Sequence, residues 1–207
     1  MTARDLFLSC ALMAFTLDVP LPAHAGGAVD SIYTRIEFDT GCIALLTDEV
    51  GGTFSCSGHA GYGILFSEGD LRQTVFFGYV GDWYAGNAWE SFGAFNQAND
   101  TVEWRLRDGV PFATILRWYI ENPNPDTGAP DEAHRGQVLV VSKVGQPGIG
   151  DACVVGYVDA LANPQANDLA RQVADTMADG FACRIDEPAY HGVRGPLSGD
   201  PTRVFSK

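Results

Sequence analysis

The stretch from Thr101 to Ile120 constrains the fold of this chain most. It reads TVEWRL, then RDG, then VPFATILRWYI. Strict alternation of apolar and polar residues precedes the turn, and a run rich in β-branched and aromatic residues follows it. That combination specifies a β-hairpin rather than a helix. Two registers compete around Asp108-Gly109. A two-residue turn opposes Arg107 to Val110 and Trp104 to Ala113. A three-residue turn, with Gly109 left-handed in a bulge, opposes Leu106 to Val110 and Trp104 to Phe112. The second gathers Val102, Trp104, Leu106, Val110, Phe112, Thr114, Leu116, Trp118 and Ile120 on one face, whereas a one-residue slip splits them. It is the register expected. The opposite face then carries Glu103, Arg105, Arg107 and Arg117 beside Ile115 and Tyr119, and is partly wet. On this reading Trp104→Glu unfolds the domain and Arg105→Glu costs little.

Residues 1–25 have the pattern of a secretory signal. Arg4 opens a weakly basic start, Leu6 to Leu17 is apolar, and Ala23-His24-Ala25 is a cleavage site. The apolar run is too short to span a bilayer. Cleavage leaves 12 basic against 24 acidic residues, a net charge of −12 compared with −13 for the whole chain. So acidic a chain is a poor nucleic-acid binder, because that affinity comes from neutralising phosphates. Anionic lipid is disfavoured for the same reason, and no stable membrane insertion is expected after cleavage. Cys10 falls in the signal. The four remaining cysteines, Cys42, Cys56, Cys153 and Cys183, form an even set suited to an oxidising, periplasmic or secreted location. Local pairing is expected, Cys42 with Cys56 and Cys153 with Cys183. No C-x-x-C or H-x-x-x-H spacing seeds a metal or redox site, and no cofactor is expected.

Taken in order, Ser31 to Phe38, Tyr62 to Phe66, Leu71 to Val80, Gln137 to Val144 and Ala152 to Ala160 read as strands, and Cys42 to Leu46 is a short apolar run. A further strand is expected near Glu90 to Phe95. Thr47 to Ser55 and Cys56 to Gly63 are expected to be glycine-containing loops. Glu121 to Gly136 holds three prolines and reads as a mobile loop. A single helix follows from an Asn163 cap and Pro164 to Asp179, with Ala166, Leu169, Ala170, Val173 and Met177 on its apolar stripe. Successive strands followed by one helix indicate an α+β fold, mainly antiparallel. About eight strands are expected, in a curved sheet or small sandwich with the C-terminal helix on one face. Residues 26–187 then form one domain, and 188–207 a loosely ordered tail.

Chemistry is sparse. There is no G-x-S-x-G, H-E-x-x-H or Walker loop. His134 and His191 lie in polar stretches and read as solvated. His59, in a glycine-rich loop beside Cys56, would need a nucleophile or carboxylate within hydrogen-bond reach to act as a base, and the sequence names none. Asp126, Asp131 and Glu132 match no calcium loop. The densest feature is GDWYAGNAWESFGAFN, residues 81–96. Trp83, Tyr84 and Trp89 sit there among glycines, and such residues either contact a ligand at a binding surface or fold inward as core.

The order C…GGTFSCSGHAGYG…EGDLR…DTVEWRLRDGVPFATILRW…QVLVVSKVG…CVVGYVDALANPQANDLARQVADT…FAC resembles a recurring group of small exported bacterial proteins with two disulfides and no known activity. The resemblance covers residues 31–187. It implies export and disulfides, but neither an activity nor site residues.

Three function classes follow. The first is a non-enzymatic binding or interaction module with an envelope protein or small ligand as partner. One variant of it inhibits a cationic lysozyme or protease, for which an acidic domain is suited. The second is an envelope hydrolase with an unfamiliar site near His59. The third is a structural or stress-related envelope protein.

Overall fold

The computed structural model describes residues 27–205. The segment read as a secretory signal, Cys10 included, lies outside them. The described chain forms an α+β fold dominated by a curled, mixed sheet.

The expected hairpin lies at its centre, as β7 (Phe95–Arg107) and β8 (Val110–Pro123). The turn differs from the expectation. Asp108 and Gly109 adopt φ of 51° and 80°, a two-residue turn of the kind that matches strand twist. Arg107 opposes Val110 and Leu106 opposes Pro111. A bulge follows at once, after which Arg105 opposes Ala113, Trp104 opposes Thr114 and Val102 opposes Leu116. The extra residue restores the expected faces beyond Phe112: Val102, Trp104, Leu116, Trp118 and Ile120 share one core. Phe112 itself joins the opposite core, and Val110 at the turn is exposed.

On one flank of this hairpin lies β1 (Val29–Arg35), antiparallel to β7. On the other lies β9 (Pro130–Gly145), antiparallel to β8. The proline-rich loop is a correction. Both strands run into it, from Glu121 to Pro123 and from Pro130 to Gly136, leaving a short turn. Its prolines end the ladder instead of dissolving it.

The far edge of β9 branches. Val138 to Lys143 pair with β10 (Cys153–Asp159). Val144 and Gly145 pair in parallel with the end of β5 (Arg72–Gly78). Gly78 is required there, since its φ is +93° and a Cβ would lie 2.3 Å from the Gly145 carbonyl oxygen. From β5 the sheet continues through β4 (Ile64–Gly69) and β3 (Gly51–Cys56) to β2 (Cys42–Thr47). β3 occupies much of the stretch read as a loop; Gly52 still pairs on both sides and Gly51 with β4. A helical turn, α1 (Phe38–Gly41), links β1 to β2.

The curl encloses a core of Ile64, Phe66, Phe77, Trp104, Leu116, Trp118 and Tyr157, among others. The Phe77 and Trp104 rings meet edge to face at 5.7 Å. α3 (Ala166–Met177) covers the opposite face of β8, β9 and β10 with Ala166, Ala170, Val173 and Ala174. Asn163 does not cap it. Its side chain instead donates to the Asp159 and Val193 carbonyls and accepts from the Val193 N–H.

On the face read as partly wet, Glu103, Arg105 and Ile115 are buried, whereas Arg107, Arg117 and Tyr119 are half-buried. Arg105 is 8 % exposed and grips both carboxylate oxygens of Asp175 at 2.9 and 2.6 Å. Arg171 donates to buried Glu103 at 2.7 Å, and Arg107 pairs with Asp179.

Both expected disulfides are present, Cys42–Cys56 and Cys153–Cys183. The segment read as a loose tail carries two strands. β11 (Ala189–His191) runs parallel to β10. β12 (Pro201–Phe205) pairs with β6 (Ala88–Phe92), the strand expected near Glu90. No helix among the described residues is long and apolar enough to cross a membrane.

Candidate functional site

The aromatic stretch leaves β5 at Gly78, crosses the outer face of β4 and β5, and forms the short helix α2 (Tyr84–Asn87) before β6. Its three candidate residues do not converge. Tyr84 is 7 % exposed. Its ring meets Phe76 at 5.1 Å, and its hydroxyl accepts the Ala152 N–H at 3.0 Å. Burial raises its pKa. Tyr84 is thus a core side chain whose polar end is satisfied. Trp83 is half-buried and stacks parallel on Phe205 at 6.2 Å, with the Arg184 guanidinium 5.5 Å from its centre. Trp89, also half-buried, stands on β6 opposite Val204.

Three clefts adjoin this stretch. The largest is about 800 Å³ and lies between Tyr79, Val80 and Trp83 on one wall and Ile149, Arg184 and Ile185 on the other. Ile149 and Ile185 are 74 % and 79 % exposed. The Cys153–Cys183 bridge fixes the second wall by tying Arg184 and Ile185 to β10. The next, about 470 Å³, shares Val80 and Gly81 with it and runs past Leu45 and Leu46 of β2. The third, also about 470 Å³, shares Leu46 and Ala85 with the second and ends at Trp89. These sizes fall within the usual range of ligand sites. Their walls carry aliphatic side chains, the Arg184 cation and the carboxylates of Asp48, Glu68, Asp82 and Asp151, an arrangement that can bind a partner by burial and by charge.

The histidines offer less. His59 sits 6.3 Å from the Trp104 ring, and its side chain has no carboxylate or hydroxyl partner among the described residues. His134 is not simply solvated: its Nδ1 lies 2.7 Å from Asp131 at the tip of the long hairpin. Asn124 and His134 hold the Asp131 carboxyl down at about 2. His191 is half-buried, Nε2 has no partner, and desolvation lowers its pKa. No group of three or more metal-ligating side chains occurs among the described residues.

Sequence reasoning missed Glu90. It lies on β6, 3 % exposed, and accepts the Val154 N–H and the Arg203 Nε, both at 2.7 Å. Burial, partly opposed by those two donors, pushes its pKa up to about 7. The partners come from β10 and β12, far along the chain, so no local pattern marks the residue.

Comparison with protein-family models, with curated proteins and with solved structures finds no match.

Proposed function

We propose that this chain is an exported, non-enzymatic interaction module that binds a partner protein through the surface around residues 79–89. The observation that carries the reading is the row of three adjoining clefts, rimmed by exposed Leu45, Leu46, Tyr79, Ile149 and Ile185. Contiguous exposed apolar surface of this kind marks interaction sites. The two disulfides support an oxidising compartment, as does the resemblance to exported bacterial proteins. The acidity of the chain favours a cationic partner, an envelope enzyme held by its inhibitor among them.

The test uses the mature protein as bait in a periplasmic extract, beside a bait carrying Ile149→Glu and Ile185→Glu. Both positions are exposed, so the variant keeps its melting temperature. The reading expects one protein captured by the first bait and lost from the second. Equal capture by both baits overturns it.

A further inference from the structure

The proposed surface continues through Leu45 and Leu46 onto the terminal strand of the main sheet. β2 reads Cys-Ile-Ala-Leu-Leu-Thr and, among the described residues, pairs with β3 alone. Its other edge presents unpaired backbone donors and acceptors. Native edges are ordinarily guarded by lysine, proline, inward-pointing charge or a bulge; β2 has no proline or charge, and its single bulge, at Leu45, lies between the Ala44–Phe54 and Leu46–Thr53 pairs, which stay in register with β3. Ile43 and Leu46 are instead 66 % and 59 % exposed. The Cys42–Cys56 bridge joins directly opposed residues of β2 and β3 and holds the edge in place. A preformed edge has little ordering left to lose on binding.

Charge identifies the occupant. β2 carries no charge, but Asp39 precedes it and Asp48 and Glu49 follow it. None of these three has an ion-pair partner among the described residues. A second copy added antiparallel to β2 would set Asp48 and Glu49 of one molecule beside Asp39 of the other, and like charges so placed repel. Basic flanks on a foreign strand would meet opposite charge at both ends.

We propose that β2 takes up an extended segment of a partner protein as an added strand, apolar at its centre and flanked by lysine or arginine. This rests on the interaction-module reading and gives its partner a chemistry. Main-chain hydrogen bonds hold the segment, and alternate side chains enter the clefts beside Leu45 and Leu46.

The probe is the peptide Lys-Lys-Val-Thr-Val-Thr-Val-Lys-Lys, compared with its glutamate-flanked counterpart and with a form N-methylated along the backbone. NMR follows the amides of the mature protein. Strand addition expects shifted, slower-exchanging amides from Ile43 to Thr47. It expects the lysine-flanked peptide to bind at least about tenfold tighter than the glutamate-flanked one, with the margin shrinking as salt is added. N-methylation abolishes binding. The variant Ile43→Lys with Leu46→Lys loses at least about tenfold in affinity while keeping its melting temperature. Shifts confined to Trp83, Ile149 and Ile185 would overturn strand addition and leave the interaction surface standing. Absence of binding, indifference to flanking charge, or tolerance of N-methylation also overturns it. Protection of β2 that rises with protein concentration alone makes a second copy the occupant and overturns it too.

Discussion

Replacing Arg105 with glutamate probes how the helix is held on the sheet. Arg105 makes two charge-assisted bonds to Asp175 and a third to Ser31 at 2.5 Å. Glu103 lies 3.9 Å away. Removing one partner of a buried pair costs about 3–5 kcal/mol, because the remaining charge stays desolvated. The Asp175 side chain is 30 % exposed, which places this site near the lower end. The new carboxylate adds repulsion from both Glu103 and Asp175. A loss of about 3–4 kcal/mol is expected, a large fraction of a typical domain's stability. The assay is urea unfolding with disulfides intact, read by tryptophan fluorescence. Alternation alone ranks Trp104→Glu far above Arg105→Glu in severity. The structure expects both to be severe. An Arg105→Glu variant within about 0.5 kcal/mol of wild type, the range of ordinary surface changes, would refute burial of this face.

Three further outcomes follow from the packing. Glu90 has its folded pKa raised from 4.5 to about 7, so its contribution is fully present below pH 4.5 and is lost as pH rises through about 7. Between those limits wild type should lose on the order of 3 kcal/mol relative to Glu90→Gln, and a difference independent of pH would contradict the shift. Trp83→Ala should cost only about 1–2 kcal/mol, less than a fully buried aromatic, because one face is open; a loss above about 3 kcal/mol in thermal melts would class it as core. The bridges close separations of 14 and 30 residues, for which chain entropy gives roughly 3 and 3.7 kcal/mol. Denaturation of each double Cys→Ala variant checks this, and the Cys153/Cys183 variant should be the weaker of the two.

Much of the fold was legible because its signals are local. Alternation located β1, β4, β5 and the strands of the central hairpin, and helical spacing located α3. Local spacing also paired the cysteines correctly. What escaped depends on distant partners. The Phe112 bulge is set by two cores claiming opposite faces of β8, which no turn rule encodes. Glu103 and Arg105 looked wet because Asp175 and Arg171 stand about seventy residues further on. The tail looked loose because its anchors, Tyr157 under Tyr190 and Glu90 beside Arg203, lie outside it. At the candidate site, density of Trp and Tyr marked the right region. It did not reveal that Tyr84 turns inward while Trp83 and Trp89 open onto separate clefts. Ile149 and Ile185 are single aliphatics in polar stretches, so only the fold shows that they face Trp83.

The most direct measurement is site-specific photocrosslinking in living cells. A crosslinking amino acid is placed at Ile149 or Ile185 beside the largest cleft. Leu161 and Val193, also exposed but outside the three clefts, serve as controls. Binding through this surface predicts one discrete crosslinked partner from positions 149 and 185 and none from the controls. Crosslinks from Leu161 or Val193, with none from Ile149 and Ile185, would contradict it.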